Sequence, residues 1–217
     1  MEDLIIIGAG GAAKEVAFLL EQINRLRPMY NILGFAELSD INIGKMVGKY
    51  RICYKEDDLL EKDHLNLAIG IGDPKIIEKV AKKLSQNKKL KFPNLIHPGT
   101  IWDADRLTLG KGNIVTAGNI FTTDIKIGSF NYLNRSSTYG HDLNVGDYCV
   151  INPGVNISGG VNIDSGCLIG TGCTILQCKD IGRNSIIAAG SVVTKNVPSG
   201  VTVYGVPAKE KITEYRI

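Results

Sequence analysis

Residues 139–175 read YGHDLNVGDYCVINPGVNISGGVNIDSGCLIGTGCTI, and an apolar residue returns at every sixth position: Tyr139, Val145, Ile151, Ile157, Ile163, Ile169 and Ile175. The phase extends outward without a slip, back through Leu133, Ile127, Phe121 and Val115 to Leu109 and forward through Ile181 and Ile187 to Val193. Four residues after most of these stands a smaller side chain, as at Ser137, Val155, Val161, Ser185 and Ser191. Three residues after stands Gly, Asn or Asp in many units (Gly112, Gly118, Asp124, Asp142, Gly154, Gly160), types that tolerate the positive φ of a tight corner. Each six-residue unit thus makes one short strand and one corner, and three units close a coil. Fifteen units predict a left-handed parallel β-helix of about five coils, stacked at the usual strand spacing of about 4.8 Å. Cys149, Cys167 and Cys173 fall on the small inward column, which assigns them to core packing rather than redox or metal chemistry.

Upstream of this repeat the pattern changes. Leu4–Ile7 reads as a buried parallel strand, followed by Gly8-Ala9-Gly10-Gly11-Ala12-Ala13 and helical periodicity to about Leu26. Strands are expected at Ile32–Phe35, Leu67–Ile71 and Leu90–Leu95, with a helix over Ile76–Leu84. These make a small Rossmann-like α/β domain over 1–93, and the β-helix with a C-terminal tail takes 94–217. A glycine turn between strand and helix aims backbone N–H groups at a phosphate, although a plain tight turn has the same sequence. Glu37 ends the second strand, where a ribose-binding carboxylate could stand. About 90 residues are too few for both halves of a dinucleotide fold, so one nucleotide moiety fits better than NAD.

The bulk properties exclude several classes. The chain has 217 residues and a net charge of +3, and its lysine excess between Lys75 and Lys91 has the spacing of a solvated helix face. No basic and aromatic stripe marks a nucleic-acid surface. The apolar run at Leu4–Ile7 is too short for a signal segment or a membrane span. Five cysteines without a CxxC pair point to reduced thiols and a cytoplasmic protein.

Of three histidines, His64 lies in a polar loop and His97 at the domain junction, and only His141 lies in the repeat. Two residues beyond an inward position, it faces outward, where it has no core to fill. Asp142 beside it is either an ordinary corner residue or the carboxylate that orients a catalytic base. A zinc site of the gamma carbonic anhydrase kind needs three histidines on facing coils, so no metal is expected.

The combination resembles the bacterial hexapeptide-repeat sugar acyltransferases, which include the UDP-4-amino-sugar N-acetyltransferases and the sialic acid O-acetyltransferase-like proteins. It is carried by Ile7-Gly8-Ala9-Gly10-Gly11, Ala68-Ile69-Gly70-Ile71-Gly72-Asp73, Asn94-Leu95-Ile96-His97-Pro98, Gly140-His141-Asp142 and Tyr204-Gly205-Val206-Pro207-Ala208-Lys209, in that order. The resemblance implies a homotrimer with active sites between subunits. It also implies acetyl-CoA in the groove between neighbouring β-helices and a nucleotide-sugar on the N-terminal domain. It places the catalytic histidine on His141, the adjacent acid on Asp142 and an active-site asparagine on Asn134. Acetyl-CoA contacts, largely through backbone, fall on Val150, Gly159, Thr171 and Ala189. Gly10, Gly11, Ala12, Glu37 and Gly72 are the candidate substrate-binding residues. The chain departs from the pattern at Ala12, where histidine is common, and at Glu37-Leu38, where paired aspartates can contact uracil. Pro74 and Ile77 depart as well, and the nucleotide stays open. The expected activity is acetyl-CoA-dependent N-acetylation of a nucleotide-linked amino sugar. The alternatives are sugar O-acetylation and a non-catalytic solenoid that binds a sugar nucleotide.

Overall fold

The computed structural model describes residues 1–210, so residues 211–217 of the expected tail lie outside the described residues. The N-terminal sheet is formed by β1 (Glu2–Ile7), β2 (Tyr30–Glu37), β3 (Met46–Val47), β4 (Tyr50–Lys55) and β5 (Asn66–Ile69), in the order β3-β4-β2-β1-β5. Helix α1 (Gly11–Leu26) connects β1 to β2, and α2 (Pro74–Leu84) follows β5. Strands β1, β2, β4 and β5 pair in parallel, and β3 forms an antiparallel edge on β4. Strand β1 is apolar at four successive positions because both its faces are covered: Leu4, Ile5, Ile6 and Ile7 are all buried. Chain order reverses between β1 and β5, which opens a crevice at their carboxyl ends. Gly70 follows β5 there, and a Cβ on it would lie 2.6 Å from the Cα of Ala13. Helix α1 therefore closes on β5 at a distance that only glycine permits.

The strand expected over Leu90–Leu95 is divided between the two regions. Lys91 makes a single parallel bridge to Asn66, whereas Leu95–Ile96 pairs with Ile114–Val115 in the β-helix. Four successive apolar positions do not form here, because Lys91 and Pro93 interrupt the run.

From Leu95 onward three parallel sheets stack coil on coil, and the strands pair at an offset of eighteen residues, as in Tyr139↔Ile157 and Ile157↔Ile175. The first face runs through Ile114–Val115, Tyr132–Leu133, Val150–Ile151 and Leu168–Ile169. The second carries Ile120–Phe121, Thr138–Tyr139, Asn156–Ile157, Thr174–Ile175 and Val192–Val193. The third carries Leu107–Leu109, Ile125–Ile127, Asn144–Val145, Asn162–Ile163 and Asp180–Ile181. The inward columns fill the prism: Ile151, Ile169, Ile175 and Ile187 are fully buried, as are Cys149, Cys167 and Cys173. All five cysteines are free. Corners have positive φ at Gly112, Gly118, Asp124, Asp142, Gly154, Gly160, Gly166, Gly172 and Asn184. The same conformation is imposed on Phe130, Ser136, Tyr148 and Cys178, so the coil geometry overrides local preference at these sites.

The faces differ outside. Ile114, Tyr132 and Val150 of the first face join the core of the N-terminal domain, so this face is where the two regions dock. The Tyr132 hydroxyl donates to Glu15 of α1 at 3.2 Å, and burial, with the Glu15 charge adding to it, raises the phenol well above its ordinary range. The third face is polar, and its side chains bond along the stack: Asn144 Nδ2 donates to Asn162 and Asn162 Nδ2 to Asp180, both at 3.0 Å. Among the described residues no helix is long and apolar enough to cross a membrane.

Candidate functional site

His141 and Asp142 stand on the corner between the second and third faces. The left-handed conformation of Asp142, φ 57°, turns its carboxylate back toward the ring, and Nδ1 of His141 lies 2.7 Å from a carboxylate oxygen. A carboxylate only accepts, so in the neutral ring this bond selects the tautomer with the proton on Nδ1 and the lone pair on Nε2. Both side chains are about two-thirds exposed, open to a substrate or a neighbouring molecule. The next coil places Gly159 beneath the ring: a Cβ there would lie 2.5 Å from Cε1 and Nε2 of His141. A larger residue at this position would push the imidazole off its seat, so glycine keeps the ring where it stands, and no special φ is involved.

The repeat also determines which amides are available. Ser158 and Gly160 donate their backbone N–H groups to Ile175 and His141 at 3.0 and 2.8 Å, and the Gly159 N–H between them has no acceptor among the described residues. Thr171 and Ala189 occupy the equivalent position on the corner between the first and second faces, eighteen residues apart, and their N–H groups are likewise without an internal acceptor. Val150 differs from these three. It is 1 % exposed in the core beneath the N-terminal domain, and its N–H donates to Cys167 at 2.9 Å. It offers no surface or amide to a cofactor, so the expected acetyl-CoA contact at Val150 is corrected to a packing role.

Asn134 also stands on the corner between the first and second faces, away from His141. It borders a cleft of about 170 Å³ lined by Glu15, Phe18, Leu19, His97, Thr116 and Arg135 among others. The Arg135 guanidinium donates to Glu15 at 2.8 Å and joins this corner to α1. His97, read from sequence only as a junction residue, lies in this cleft, and its Nδ1 accepts the Gly99 N–H at 2.9 Å.

A cavity of about 790 Å³ opens at the carboxyl ends of the N-terminal strands, bordered by Gly8, Glu37, Ser39, Glu56, Ile71 and Lys83 among others. Glu37 holds one carboxylate oxygen against Asn42 at 2.8 Å. Lys83 bonds Glu56 at 2.7 Å and also pairs with Asp57, and these bonds, Asp57 first, raise its ammonium above the usual lysine range. Helix α1 starts beside this region with no side-chain cap and no acid in its first turn, leaving its first N–H groups and positive dipole end uncovered. Gly10 and Gly11 at that start have open space where a side chain would stand. Ala12 packs against the domain core, and Gly72 lies exposed in the loop before α2. Among the described residues no three His, Cys, Asp or Glu side chains gather as a metal ion would require.

Residues 3–84 match the PglD N-terminal domain. Across nearly the whole chain the fold is that of PerB from Caulobacter crescentus in complex with CoA and GDP-perosamine, at 27 % identity and a TM-score of 0.87, covering 97 % of this chain and 98 % of PerB. The acetyltransferase domain of PglB from Neisseria gonorrhoeae, in complex with acetyl coenzyme A, is 25 % identical with a TM-score of 0.87, covering 97 % and 99 %. WeeI from Acinetobacter baumannii is 29 % identical with a TM-score of 0.85, covering 97 % and 100 %. No protein of curated function matches the chain. Over nearly its whole length the chain is therefore similar to sugar N-acetyltransferases built on a left-handed β-helix.

The residues expected at the histidine corner lie where the repeat places them, whereas those expected at the N-terminal cavity mostly do not line it. Of the five expected substrate residues, Glu37 lines the cavity. Leu38, noted in the sequence beside Glu37, lines it too, and Ser39, Ile76, Lys79, Val80 and Lys83 line it without having been expected. Their only sequence signal was position after β2 and along one face of α2, where lysines read as ordinary solvated residues.

Proposed function

We propose that the enzyme transfers the acetyl group of acetyl-CoA to the amino group of a nucleotide-linked amino sugar, with His141 as general base. The observation that carries this is the His141–Asp142 pair seated over Gly159, which joins a lone pair, an orienting carboxylate and an unpartnered amide on one corner. His141 Nε2 takes a proton from the acceptor nitrogen as that nitrogen bonds to the thioester carbonyl carbon. Asp142 stabilises the imidazolium, and the Gly159 N–H meets the oxygen on which negative charge develops. His141 returns the proton to the departing sulfur as the carbon–sulfur bond breaks, so amide and free thiol are the products. Among the described residues no nucleophilic thiol adjoins the histidine, and direct transfer needs none.

The site is read as shared between subunits of a homotrimer. Gly159 lies on one corner, whereas Thr171, Ala189 and Asn134 lie on the next. Six residues separate equivalent corners of a coil, a span of up to about 20 Å at about 3.3 Å per residue. A narrow pantetheine arm lying along the stack cannot touch both corners of one chain. The second-to-third corner of one copy against the first-to-second corner of its neighbour brings them together. Two different patches meeting in this way form a heterologous interface, which closes into a ring. On this reading residues 1–93 hold the nucleotide-sugar, residues 94–217 carry out acyl transfer, and the free cysteines suit a cytoplasmic enzyme.

The test is release of free thiol from acetyl-CoA against GDP-, UDP- and CMP-linked sugars bearing amino or hydroxyl acceptors. The reading expects one amino sugar nucleotide to be turned over with one thiol released per acetyl group. Preference for hydroxyl acceptors, or no thiol release with any of them, would contradict it.

A further inference from the structure

Glu56 is the only charged side chain buried among the described residues, at 5 % exposure, and it borders the N-terminal cavity. Lys83 donates to one of its oxygens at 2.7 Å, and the other accepts no hydrogen bond among the described residues. That second oxygen is not sealed in the core either, since the enclosed polar side-chain atoms without a partner are those of Thr100, Thr123 and Tyr139. It therefore opens on the cavity. Pairing with Lys83 does not explain the burial, because Asp57 pairs with the same lysine while half exposed. A carboxylate withdrawn from water with a free oxygen calls for a ligand that brings N–H or O–H groups to it. The walls beside it are apolar. Leu38 and Ile76 line the cavity while 66 % and 48 % exposed, and Ile71 and Val80 line it with them. These walls suit a flat ring with apolar faces and a polar edge. They do not suit a sugar, whose hydroxyls lie all round it, and the carboxylates of Glu56 and Asp57 repel a phosphate. The cavity also reaches Gly8, near the uncovered start of α1, where a diphosphate meets backbone N–H groups.

We infer that Glu56, neutralised by Lys83, reads the edge of the nucleobase, and that this base is guanine. The inference rests on the nucleotide-sugar reading above and specifies the nucleotide. A carboxylate only accepts, and after the bond from Lys83 both oxygens of Glu56 keep room for a further donor. Guanine presents two adjacent donors, the N1 hydrogen and the N2 amino group, beside the O6 acceptor. Uracil presents a single donor between two acceptors. Cytosine and adenine each present one amino group beside a ring nitrogen that accepts. Guanine alone supplies a donor for each oxygen of Glu56 while offering O6 to an ammonium group. Lys83 is beside the carboxylate, and Lys79 lies one turn before it on α2 and lines the same cavity. Glu37 is the rival acid, but it is only half-buried and Asn42 already holds one of its oxygens.

The test is calorimetric binding of GDP, IDP, UDP, CDP and ADP to the full chain, to Glu56→Gln and to Glu37→Gln. IDP differs from GDP only in lacking the N2 amino group, so the pair isolates the second donor. The unaltered chain is expected to bind GDP at least about tenfold more tightly than UDP, CDP or ADP, and about fivefold more tightly than IDP. Glu56→Gln keeps the side chain's size and should bring GDP and IDP within about twofold of each other, whereas Glu37→Gln should leave their ratio as it was. Tighter binding of UDP, CDP or ADP than of GDP would overturn the inference, and this arm needs only the unaltered chain. A preference for GDP over IDP that survives in Glu56→Gln, or is lost in Glu37→Gln instead, would overturn it as well. Failure of all five to bind the unaltered chain would instead overturn the nucleotide-sugar reading itself.

Discussion

The two regions of this molecule place functional groups by different means. In the β-helix a residue's neighbours are those eighteen positions away, so sequence arithmetic alone puts Gly159 under His141 and Ala189 under Thr171. In the N-terminal domain the cavity is assembled from the ends of β1, β2 and β5, one face of α2 and the segment 56–61, and no spacing rule connects them. The periodic region therefore allows a residue's surroundings to be predicted individually. The α/β region allows only the location of the crevice.

Substitutions that test packing should have the largest effects, and they should differ between the two regions. Ile169→Ala removes a fully buried inward side chain and is expected to cost about 2–5 kcal/mol, read as a lowered denaturation midpoint. Gly70→Val drives a side chain into the backbone of α1 at Ala13 and should cost at least about 3 kcal/mol, with loss of sugar-nucleotide binding. A negligible effect of Gly70→Val would mean that α1 and β5 are not held as close as 2.6 Å implies.

Substitutions at the corner should leave stability alone and change turnover. Gly159→Ala pushes the imidazole off its seat and should lower kcat by about a hundredfold, with a thermal midpoint close to that of the parent. Asp142→Asn keeps a residue type that accepts φ 57° but replaces the charge, so turnover should fall about tenfold while the coil stays folded. Unchanged kcat in Asp142→Asn would reduce that residue to an ordinary corner.

The smallest of these expected effects is kinetic. Cys178 is exposed on the histidine's corner, whereas Cys173 is enclosed and its thiol is pushed up by burial. A thiol reagent should modify Cys178 before Cys173, and bound CoA should slow it. Reaction of Cys173 at a similar rate would show that the coils open far more readily than their packing suggests.

Much of this was legible in sequence for a physical reason. A repeat of six ties side-chain direction to position, so His141 had to face outward and Cys149, Cys167 and Cys173 inward. Val150 was misassigned because sequence could not reveal that the N-terminal domain covers the first face and buries it. The strand at 90–95 was misjudged because its apolar residues serve two different sheets. Lys83 of the cavity was hidden among the lysines of α2, where pairing to Glu56 depends on a turn 27 residues away.

The most direct test of the account is His141→Ala, compared with the parent for acetyl-CoA-dependent thiol release and for CoA binding. The account predicts a parent-like fold and CoA affinity with turnover lower by about a thousandfold. Turnover near that of the parent would contradict it, because the account assigns proton removal to His141 alone.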